Sequence, residues 1–349
     1  MADRGIRPNG HTVVRLGRPN HHCNCNRKVD TVKFSRFSAK RIVRRGSAVV
    51  LAATMSLTAL GGAWLAGWRI PGASGATWVK VTHLRASYNG NTAGPIFVML
   101  VGSDLRDGVG GARGDALHIL GINPELHAAT ILDIPRDTCA TFGGHTRKIN
   151  EANSNGGPAA QAKAVSDLTG VPLDYAVEVD FSGFKELVKS VGGLNINIPM
   201  RMHDDYSGAF FEPGYQHLDE SGALAFSRNR HDFARSDIQR TWNQGYLLIA
   251  AVQQLQQQYK TMSGKFEIAS MLVQHAQLSG LGISDLVRFG ALANKVPAAN
   301  IKNIEIPVTG GNCLGVSSGA AEALYRDFKD NARLDTYPSG TPTIPDPRP

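Results

Sequence analysis

Several absences in this 349-residue sequence limit what the protein can be. No internal repeat occurs along the chain, so no repeat architecture is expected. No histidine follows His275, although residues 315–319 read G-V-S-S-G and match the G-x-S-x-G pattern of α/β-hydrolases. Because those enzymes place the catalytic histidine after the serine, the pattern is interpreted as the serine-capped start of a helix.

Acidic residues are scarce in the first 45 positions, which contain 12 Lys and Arg but only Asp3 and Asp30, a net charge of +10. The remainder has 25 basic and 27 acidic residues, a net charge of −2. The overall charge of +8 therefore belongs to the N-terminal arm, and the rest of the chain is not expected to bind nucleic acid. Residues 1–45 are predicted to form a basic, disordered, cytoplasmic arm near anionic lipid headgroups.

Charged residues are absent between Gly46 and Trp68. As a helix rising about 1.5 Å per residue, this stretch would cover roughly 34 Å, slightly more than the ~30 Å hydrocarbon core of a bilayer. Residues 46–68 are predicted to be an uncleaved transmembrane helix, because the apolar region and leading segment of a cleaved signal peptide are usually shorter. Five basic residues between positions 36 and 45 precede the span and only Arg69 directly follows it, which predicts a cytoplasmic N-terminus and residues 69–349 outside.

Only four cysteines are present, and the predicted span divides them into two pairs. Cys23 and Cys25 precede it, in a Gly-, Asn- and Arg-rich stretch that favours disorder over a metal site formed with two neighbouring histidines. Cys139 and Cys313 follow it and are expected to form a disulfide in an oxidising compartment. The alternative for this pair is two buried free thiols.

Short apolar runs alternate with helical patterns from Ile96 onward, which predicts an α/β sandwich with a mixed central sheet flanked by helices. The strand-like runs are Ile96–Val101, Ala116–Ile122, Ala129–Ile134 and Ile301–Val308. The helical patterns are Ala159–Thr169, Ser182–Val191, Asp219–Ser227, Asp237–Tyr259, Ile283–Lys295 and Ala320–Asp330. Residues 69–94 are predicted to be a linker with a first strand around Val79 that could pair at a sheet edge. Residues 95–336 are predicted to be the extracytoplasmic domain and residues 337–349 a disordered Pro-rich tail.

Acidic and basic side chains lie where the first three strand-like runs begin or end. They are Asp104 and Arg106 after the first run, Arg113 and Asp115 before the second, and Arg136 after the third. Two more polar residues, Lys148 and Asn150, follow a glycine turn at positions 143–144. Open α/β sheets bind ligands at strand ends. The pattern therefore indicates a magnesium and phosphate site.

These segments resemble the LytR-CpsA-Psr family of membrane-anchored cell-wall phosphotransferases, in which G-S-D-x-R, R-x-D, I-P-R-D-T and K-I-N segments occur in this order. Here they are found at residues 102–106, 113–115, 134–138 and 148–150. The likeness continues through residues 179–184, 191–193, 218–224, 228–230 and 236–244. The resemblance implies that the domain at 95–336 transfers a phosphate-linked glycopolymer from a polyprenyl diphosphate carrier to a peptidoglycan hydroxyl, outside the membrane.

The resemblance also implies Mg²⁺ bound by Asp104 and Asp115, since Mg²⁺ prefers carboxylate oxygens together with phosphate oxygens and water. The alternative is a pair of turn-capping aspartates. Two carboxylates neutralise the metal, so a diphosphate diester of about −2 needs further cations. The arginines expected to act on it as catalytic residues are Arg136, Arg228, Arg230 and Arg240. The residues expected to support substrate binding are Arg106, Arg113, Lys148, Asn150, Asp237 and Gln244.

One departure from the family pattern concerns a cation. Asn243 stands where the family usually has the arginine of an R-Q pair, so only Gln244 is carried over. The general base is left open among Asp137, Asp232 and Asp237, each of which could instead pair with a neighbouring arginine.

Two other functions are compatible with the same residues: a non-catalytic scaffold that binds polyprenyl phosphate or wall polymer, and a lipid pyrophosphatase. No residue is assigned to a lipid groove, because core packing explains the apolar residues of 168–194 and 242–255 equally well. The polymer could be an arabinogalactan, a teichoic acid or a capsule-like chain. The basic arm, the Ala- and Gly-rich composition and Cys139 fit a high-GC Gram-positive bacterium and favour an arabinogalactan.

Overall fold

The computed structural model describes residues 79–84, 94–104, 112–258, 276–279 and 295–335. The strands are β1 (Val79–His83), β2 (Ile96–Ser103), β3 (Gly114–Asn123), β4 (Ala128–Asp133), β5 (Cys139–Phe142), β6 (His145–Lys148), β7 (Tyr175–Asp180), β8 (Leu194–Ile198), β9 (Met202–Asp204), β10 (Ala209–Phe211), β11 (Gly214–Leu218), β12 (Ala276–Ser279), β13 (Ile301–Glu305), β14 (Val308–Thr309) and β15 (Gly315–Val316). The helices are α1 (Glu151–Thr169), α2 (Phe181–Ser190), α3 (Glu220–Arg228), α4 (Asp237–Gln258) and α5 (Ser318–Asn331). A 3₁₀ turn spans Ala298–Asn300.

The centre of the fold is a seven-stranded sheet with the order β12-β1-β7-β2-β3-β4-β13. β2, β3 and β4 are antiparallel neighbours, whereas β7 joins β2 and β13 joins β4 in parallel. This arrangement confirms the predicted mixed sheet. The prediction that the first strand lies at an edge is wrong, because β1 pairs with β7 on one side and with β12 on the other. The outer partner of β1 is β12, which lies almost 200 residues later in the chain. A local sequence pattern cannot predict such a distant pairing.

Both faces of the central strands are covered. All six residues of β4 are buried, as are the first four of β2, from Ile96 to Met99. On one face, the Phe97 ring meets Phe328 of α5 edge-on with centroids 5.3 Å apart, and Val165 of α1 joins the same core. Strands covered on both faces consist of nearly continuous apolar residues, which explains why these runs were recognisable in the sequence.

A second core lies between helices α2, α3 and α4 and the short strands β8 to β11. Ile196 of β8, Phe226 of α3 and Leu247 of α4 are among its buried members. This packing fixes the C-terminal end of α3 and the middle of α4. Arg228 ends α3, Arg230 follows it, and Arg240 lies in the first turn of α4.

Helix α1 begins eight residues before the predicted start at Ala159. Gly156 and Gly157 have non-helical backbone angles and Pro158 follows them, so a regular helical pattern is visible only afterwards. The other described helices agree with prediction within two residues at each end. The predicted strand at 301–308 is shorter than expected. It ends at Glu305, before Pro307, and Val308 belongs to a separate strand, β14.

The β5–β6 hairpin carries the predicted glycine turn at 143–144, where both φ angles are positive as in a type I′ turn. Cys139, the first residue of β5, is disulfide-bonded to Cys313, which confirms the predicted bridge. Beside the bridge, Cys139 N donates to Leu314 O and Leu314 N donates to Asp137 O, each at 2.8 Å. The segment before α5 is therefore tied to the loop that follows β4.

The G-x-S-x-G segment begins a helix, which confirms the predicted helix start but not the predicted serine cap. Ser317 occupies the N-cap position of α5, and its carbonyl oxygen accepts from Ala321 N at 2.9 Å. Its hydroxyl makes no capping hydrogen bond.

Several predictions lie outside the described residues. They concern the basic arm at 1–45, the span at 46–68, Arg106, most of the helix at 283–295 and the tail at 337–349. Within the part of the chain that the structure describes, no helix is both long and apolar enough to cross a bilayer.

Candidate active site

A β-bulge between β2 and β3 positions the first carboxylate of the site. Gly102 pairs with Ala116 and Ser103 pairs with Gly114, so Asp115 is the extra residue between the two pairs. A bulged residue leaves the regular ladder and its side chain is re-aimed. The Asp115 carboxylate consequently meets the loop that follows β4.

Arg136 lies in that loop and bridges two carboxylates. Its Nη1 donates to Asp115 Oδ1 at 2.8 Å, and its Nε lies 3.3 Å from Asp237 Oδ2. The backbone is held as well, because Asn150 N donates to Arg136 O and Gly114 N donates to Asn150 O, both at 3.2 Å. Although burial opposes it, Asp237 and Asp115 raise the pKa of Arg136. The guanidinium therefore stays charged and keeps further N–H donors for a ligand.

Asp237, the first residue of α4, lies among three arginines. Arg240 Nη2 is 3.1 Å from Asp237 Oδ1 and 3.1 Å from the backbone oxygen of Asp115. Arg230 Nη1 is 3.8 Å from the same Asp237 oxygen, and Arg136 is the third partner. Only 8% of the Arg240 side chain is exposed, and burial lowers the pKa of Arg240 while Asp237 opposes this change. The structure thus places Asp237 as the carboxylate that holds the arginines together.

Arg228 is the last residue of α3 and Arg230 follows two positions later, so both lie near the helix end where the dipole favours positive charge. The Arg228 guanidinium carbon is 5.4 Å from the centre of the Phe181 ring, in a cation–π contact with the first residue of α2. Both arginines line the same cavity as Arg136.

Four further predicted residues lie around this group without lining the cavity that it borders: Asp104, Arg113, Lys148 and Asn150. Lys148 Nζ pairs with Asp137 Oδ1 at 3.1 Å, and Asn150 is buried and acts through the backbone contacts given above. Arg113 is exposed, and its backbone N donates to Asp104 Oδ1 at 2.7 Å. Asp104 is thereby held at the end of β2, beside the bulge.

Gln244 lies one turn after Arg240 on α4, and its Nε2 donates to Ser227 O at 3.0 Å. Its side chain approaches His118, a residue that the sequence pattern did not single out. His118 is 3% exposed, and its Nδ1 lies 2.7 Å from Asp133 Oδ1. Burial lowers the pKa of His118 to about 4, an effect that Gln244 opposes and Arg240 reinforces.

These side chains form the polar end of a cavity of about 650 Å³. The polar lining residues at this end are Asp115, His118, Arg136, Arg228, Arg230, Arg240 and Gln244. Beyond them the wall is apolar and is built from β7, α2 and α4. It includes Val177, Val179, Phe184, Leu187, Leu248 and Leu255. The cavity therefore combines fixed cations with an apolar channel.

The sequence profile of the LytR_cpsA_psr family matches residues 74–332, which is most of the chain. The chain belongs to the LytR-CpsA-Psr family. Its segments at the strand ends, identified from the sequence, converge on the polar end of the cavity.

Similarity to individual LytR-CpsA-Psr proteins is partial in sequence and broader in fold. The polyisoprenyl-teichoic acid–peptidoglycan teichoic acid transferase TagU of Bacillus mycoides (strain KBAB4) is 33% identical over 160 residues, which cover 45% of this chain and 52% of TagU. The chain thus spans about half the length of this relative. The crystal structure of Bacillus subtilis TagV matches with a TM-score of 0.58 at 23% identity, covering 69% of this chain and 98% of TagV. A LytR-Csp2A-Psr enzyme from Actinomyces oris matches with a TM-score of 0.58 at 20% identity, covering 74% and 95%. At these identities, the two structures show the shared fold.

A second polar group lines the cavity of this LytR-CpsA-Psr protein. It consists of Asp204, Tyr206 and Ser207 around the β9–β10 turn, and His231 after α3. His231 Nδ1 lies 3.0 Å from both carboxylate oxygens of Asp204. The two residues are 27 positions apart and belong to no local motif, so sequence reasoning had no signal for this pair.

Asp104 and Asp115 each have a carboxylate oxygen that a metal ion could use. Oδ1 of Asp104 accepts from Arg113 N and Oδ1 of Asp115 accepts from Arg136, whereas Oδ2 of each accepts no hydrogen bond from a described residue. Two carboxylates with open oxygens fit Mg²⁺, which takes one or two carboxylates together with phosphate oxygens and water. Among the described residues, no group of three or more His, Cys, Asp and Glu could hold a metal on its own. The remaining ligands would therefore be phosphate oxygens and water.

Proposed function

We propose that this protein transfers a phosphate-linked glycopolymer from a polyprenyl diphosphate carrier to a hydroxyl group of peptidoglycan, assisted by Mg²⁺. The observation that carries the proposal is a single cavity in which four arginines adjoin an apolar channel. A lipid diphosphate joins the same two chemistries, since its phosphates are charged and its chain is a hydrocarbon. The name of the relative TagU describes a transfer of this type, which supports the proposal.

The charge at the polar end suits a diphosphate diester. The four lining arginines supply four positive charges, and Asp115 and Asp237, which contact three of them, supply two negative ones. Before the metal is counted, the difference is a formal +2, against about −2 for a diphosphate diester, and Mg²⁺ together with Asp104 would add one further positive charge. Guanidinium forks pair with phosphate oxygens, which suits such a substrate. The two carboxylates hold the arginines in place before a substrate arrives, so the site is preorganised.

The apolar channel suits the polyprenyl chain. Phe184 and Leu187 of α2 face it from one side, and Leu248 and Leu255 of α4 contribute from the other helix. Burying hydrocarbon contributes about 0.8 kcal/mol per CH₂ group, so contact with a few isoprene units adds several kcal/mol to binding. Lipid binding and phosphate positioning would then occur in one cavity.

Asp104 and Asp115 would hold the Mg²⁺ ion. When bound, the ion would polarise a phosphoryl oxygen and offset part of its negative charge. Arg136 and Arg240, fixed by Asp237, stabilise the negative charge that develops on the leaving lipid phosphate. The buried setting of Arg240 strengthens this interaction, because little water competes for the phosphate.

We further propose a single-pass membrane anchor at residues 46–68, with the N-terminus in the cytoplasm and the folded domain outside. The uncharged stretch and the basic residues before it support this topology. The Cys139–Cys313 disulfide also supports it, because disulfides are rare in the reducing cytosol. Among polymers of the same linkage chemistry, the name of TagU favours a teichoic acid over an arabinogalactan or capsule-like chain.

Turnover by the purified full-length chain tests the proposed transfer. The probe is a synthetic short-chain polyprenyl diphosphate that carries N-acetylglucosamine, supplied with Mg²⁺ and an uncrosslinked peptidoglycan oligomer. The expected products are polyprenyl monophosphate and phosphosugar-labelled peptidoglycan in equal amounts. Monophosphate without labelled peptidoglycan would instead identify a lipid pyrophosphatase, and binding without release would identify a scaffold.

Variants of the two proposed metal ligands test the role of Mg²⁺. Asp104→Asn and Asp115→Asn are each expected to lower turnover at least about 100-fold, because charge stabilisation of the transition state is lost. Chelation with EDTA should abolish the wild-type reaction, and added Mg²⁺ should restore it. Asp167→Asn is the matched control, since Asp167 pairs with Lys163 on the exposed side of α1. Full Mg²⁺-dependent turnover by Asp104→Asn would exclude Asp104 as a ligand.

A further inference from the structure

A histidine–carboxylate pair lines the cavity and has no role in the transfer described above. His231 Nδ1 lies 3.0 Å from Oδ1 and 3.0 Å from Oδ2 of Asp204. Because a carboxylate only accepts hydrogen bonds, Nδ1 of the neutral ring carries the proton and Nε2 is left as an acceptor. Nε2 makes no hydrogen bond with any residue that the structure describes. A proton acceptor is therefore available at the cavity.

The surroundings of Asp204 favour a His231 ring with its proton on Nδ1. Its side chain is 1% exposed, and it also accepts from Tyr206 N at 3.0 Å and from Ser207 Oγ at 2.9 Å. Although burial opposes it, hydrogen bonds from His231, Ser207 and Tyr206 lower the pKa of Asp204. A buried carboxylate of this kind fixes the imidazole tautomer and stabilises the imidazolium that forms when Nε2 takes a proton.

Tyr206 provides a flat surface next to this histidine. Its exposed fraction is 82%, and its ring centre lies 4.6 Å from that of His231. Both side chains line the cavity. The Tyr206 ring therefore presents an open aromatic face at the cavity wall, with an apolar body and a polar hydroxyl. The C–H face of a pyranose ring can pack on such a ring while its hydroxyl groups reach the polar neighbours.

Other groups near the cavity are less suited to accept a proton from a bound sugar. His118 also lines the cavity, but it is 3% exposed and burial lowers its pKa to about 4. Asp137 is paired with Lys148 at 3.1 Å, and Asp232 accepts from His203 N at 2.8 Å. Asp237 already forms ion pairs with three arginines. This comparison favours His231.

We propose that Tyr206 and His231 form the acceptor side of the cavity, where a hydroxyl-bearing sugar binds and His231 accepts its hydroxyl proton. The inference rests on the proposed transfer and names its acceptor subsite. In the reaction, the acceptor oxygen forms a bond to the phosphorus that carries the glycan, and the bond from that phosphorus to the bridging oxygen breaks. The electron pair leaves with the lipid phosphate. The hydroxyl proton moves to His231 Nε2 and then to solvent.

Chemical rescue of His231→Ala in the full-length protein tests the role of the histidine. The substrates are the polyprenyl diphosphate–N-acetylglucosamine probe and the peptidoglycan oligomer. The expected result is a kcat about 100-fold lower with an unchanged donor KM, because a general base contributes a factor of this order. Added imidazole should restore at least a tenth of the lost rate. His203→Ala is the matched control, since His203 is an exposed histidine of β9 that packs on Phe210 outside the cavity lining.

Substitution of Tyr206 tests the binding surface separately. Tyr206→Ala is expected to raise the acceptor KM about 10-fold and to leave the donor KM unchanged, whereas Tyr206→Phe, which retains the ring, should raise the acceptor KM by less. A rise in the donor KM instead would place the donor glycan on this surface and overturn the inference.

Two further results would also overturn it: wild-type kcat in His231→Ala, or a folded His231→Ala whose lost activity imidazole does not restore. These results differ from failure of the proposed function itself. In that case the folded wild-type protein would release no polyprenyl monophosphate and label no peptidoglycan, and the inference would fall with it.

Discussion

Arg136 and Asp115 are joined by a 2.8 Å contact between Nη1 and Oδ1, although one residue follows β4 and the other lies in the bulge of β3. The same guanidinium reaches Asp237 through Nε, so a single side chain connects the sheet to the start of α4. This double contact uses the planar fork of arginine, which lysine lacks. The position of the phosphate-binding end therefore depends on the shape of this side chain as well as on its charge.

Arg136→Lys should lower the rate of glycan transfer about 100-fold, because one ammonium group cannot contact both carboxylates and a phosphate. The rate is measured as release of polyprenyl monophosphate from the lipid diphosphate probe. The control is Arg201→Lys, which alters an exposed arginine paired with Glu212. A transfer rate within threefold of wild type for Arg136→Lys would contradict the proposed role of the fork.

Removal of the disulfide by Cys139→Ser and Cys313→Ser should lower the free energy of unfolding by about 3 kcal/mol, because the unfolded chain gains freedom. The two cysteines are 174 positions apart, so the loop that the bridge closes is long. Guanidinium denaturation of the full-length protein measures the change. Cys23→Ser with Cys25→Ser is the control and should leave the unfolding midpoint unchanged. Equal midpoints for the two double variants would show that the bridge does not stabilise the fold.

Gly245→Ala should destabilise the protein by about 2 kcal/mol, although alanine is the better helix former. A Cβ atom at position 245 of α4 would overlap the side-chain amide of Asn303 on β13, whose Nδ2 donates to Trp242 O at 2.9 Å. The matched change is Gly319→Ala in α5, where a Cβ would have no neighbour within 4 Å. That change should leave stability unchanged or raise it by up to about 1 kcal/mol. Thermal unfolding that ranks the two variants in the opposite order would contradict the packing of α4 on β13.

Loss of the Glu305 proton should lower the free energy of unfolding as the pH rises from about 4.5 to about 7. Burial raises the pKa of Glu305 from 4.5 to about 7, with Arg235 opposing the change and Asp133 adding to it. The folded protein keeps this proton where the unfolded chain has released it, so stability present below pH 4.5 is lost as the pH approaches 7. The difference between the two pKa values corresponds to about 3 kcal/mol.

Urea denaturation at several pH values measures this effect as the difference between wild type and Glu305→Gln. The comparison isolates the group, because His118, whose pKa is lowered to about 4, contributes a slope of opposite sign in both proteins. Glu322→Gln, at an exposed position of α5, is the control. Identical pH slopes for Glu305→Gln and wild type would contradict the prediction.

The features predictable from the sequence were those with a local pattern. Strands such as β4 are buried on both faces, so their apolar runs are visible, and polar residues at their ends mark the site. The start of α1 was hidden because Gly157 and Pro158 interrupt the helical pattern. The neighbour of β1 was missed because strand order depends on segments that are distant in sequence.

Contacts between side chains that are distant in sequence could not be predicted from the sequence. Asp237 was identified as part of the site, but its position among three arginines depends on where α4 packs against the sheet. The contact between His231 and Asp204 depends on the fold of the β9–β10 turn, which carries no recognisable motif. Residue types at strand ends thus predict a site's chemistry, whereas the pairing of its charges requires tertiary structure.

Asp115 has no partner in the β2–β3 ladder, and this bulge restricts which deletions and substitutions the two strands can accept without loss of the site. Deleting this single residue would make the ladder regular, since its neighbours Gly102–Ala116 and Ser103–Gly114 are already aligned. The resulting hairpin would be easier to form, but it would lack the carboxylate that contacts Arg136. Substitutions that straighten this part of the sheet are therefore expected to increase stability at the expense of the anion-binding end.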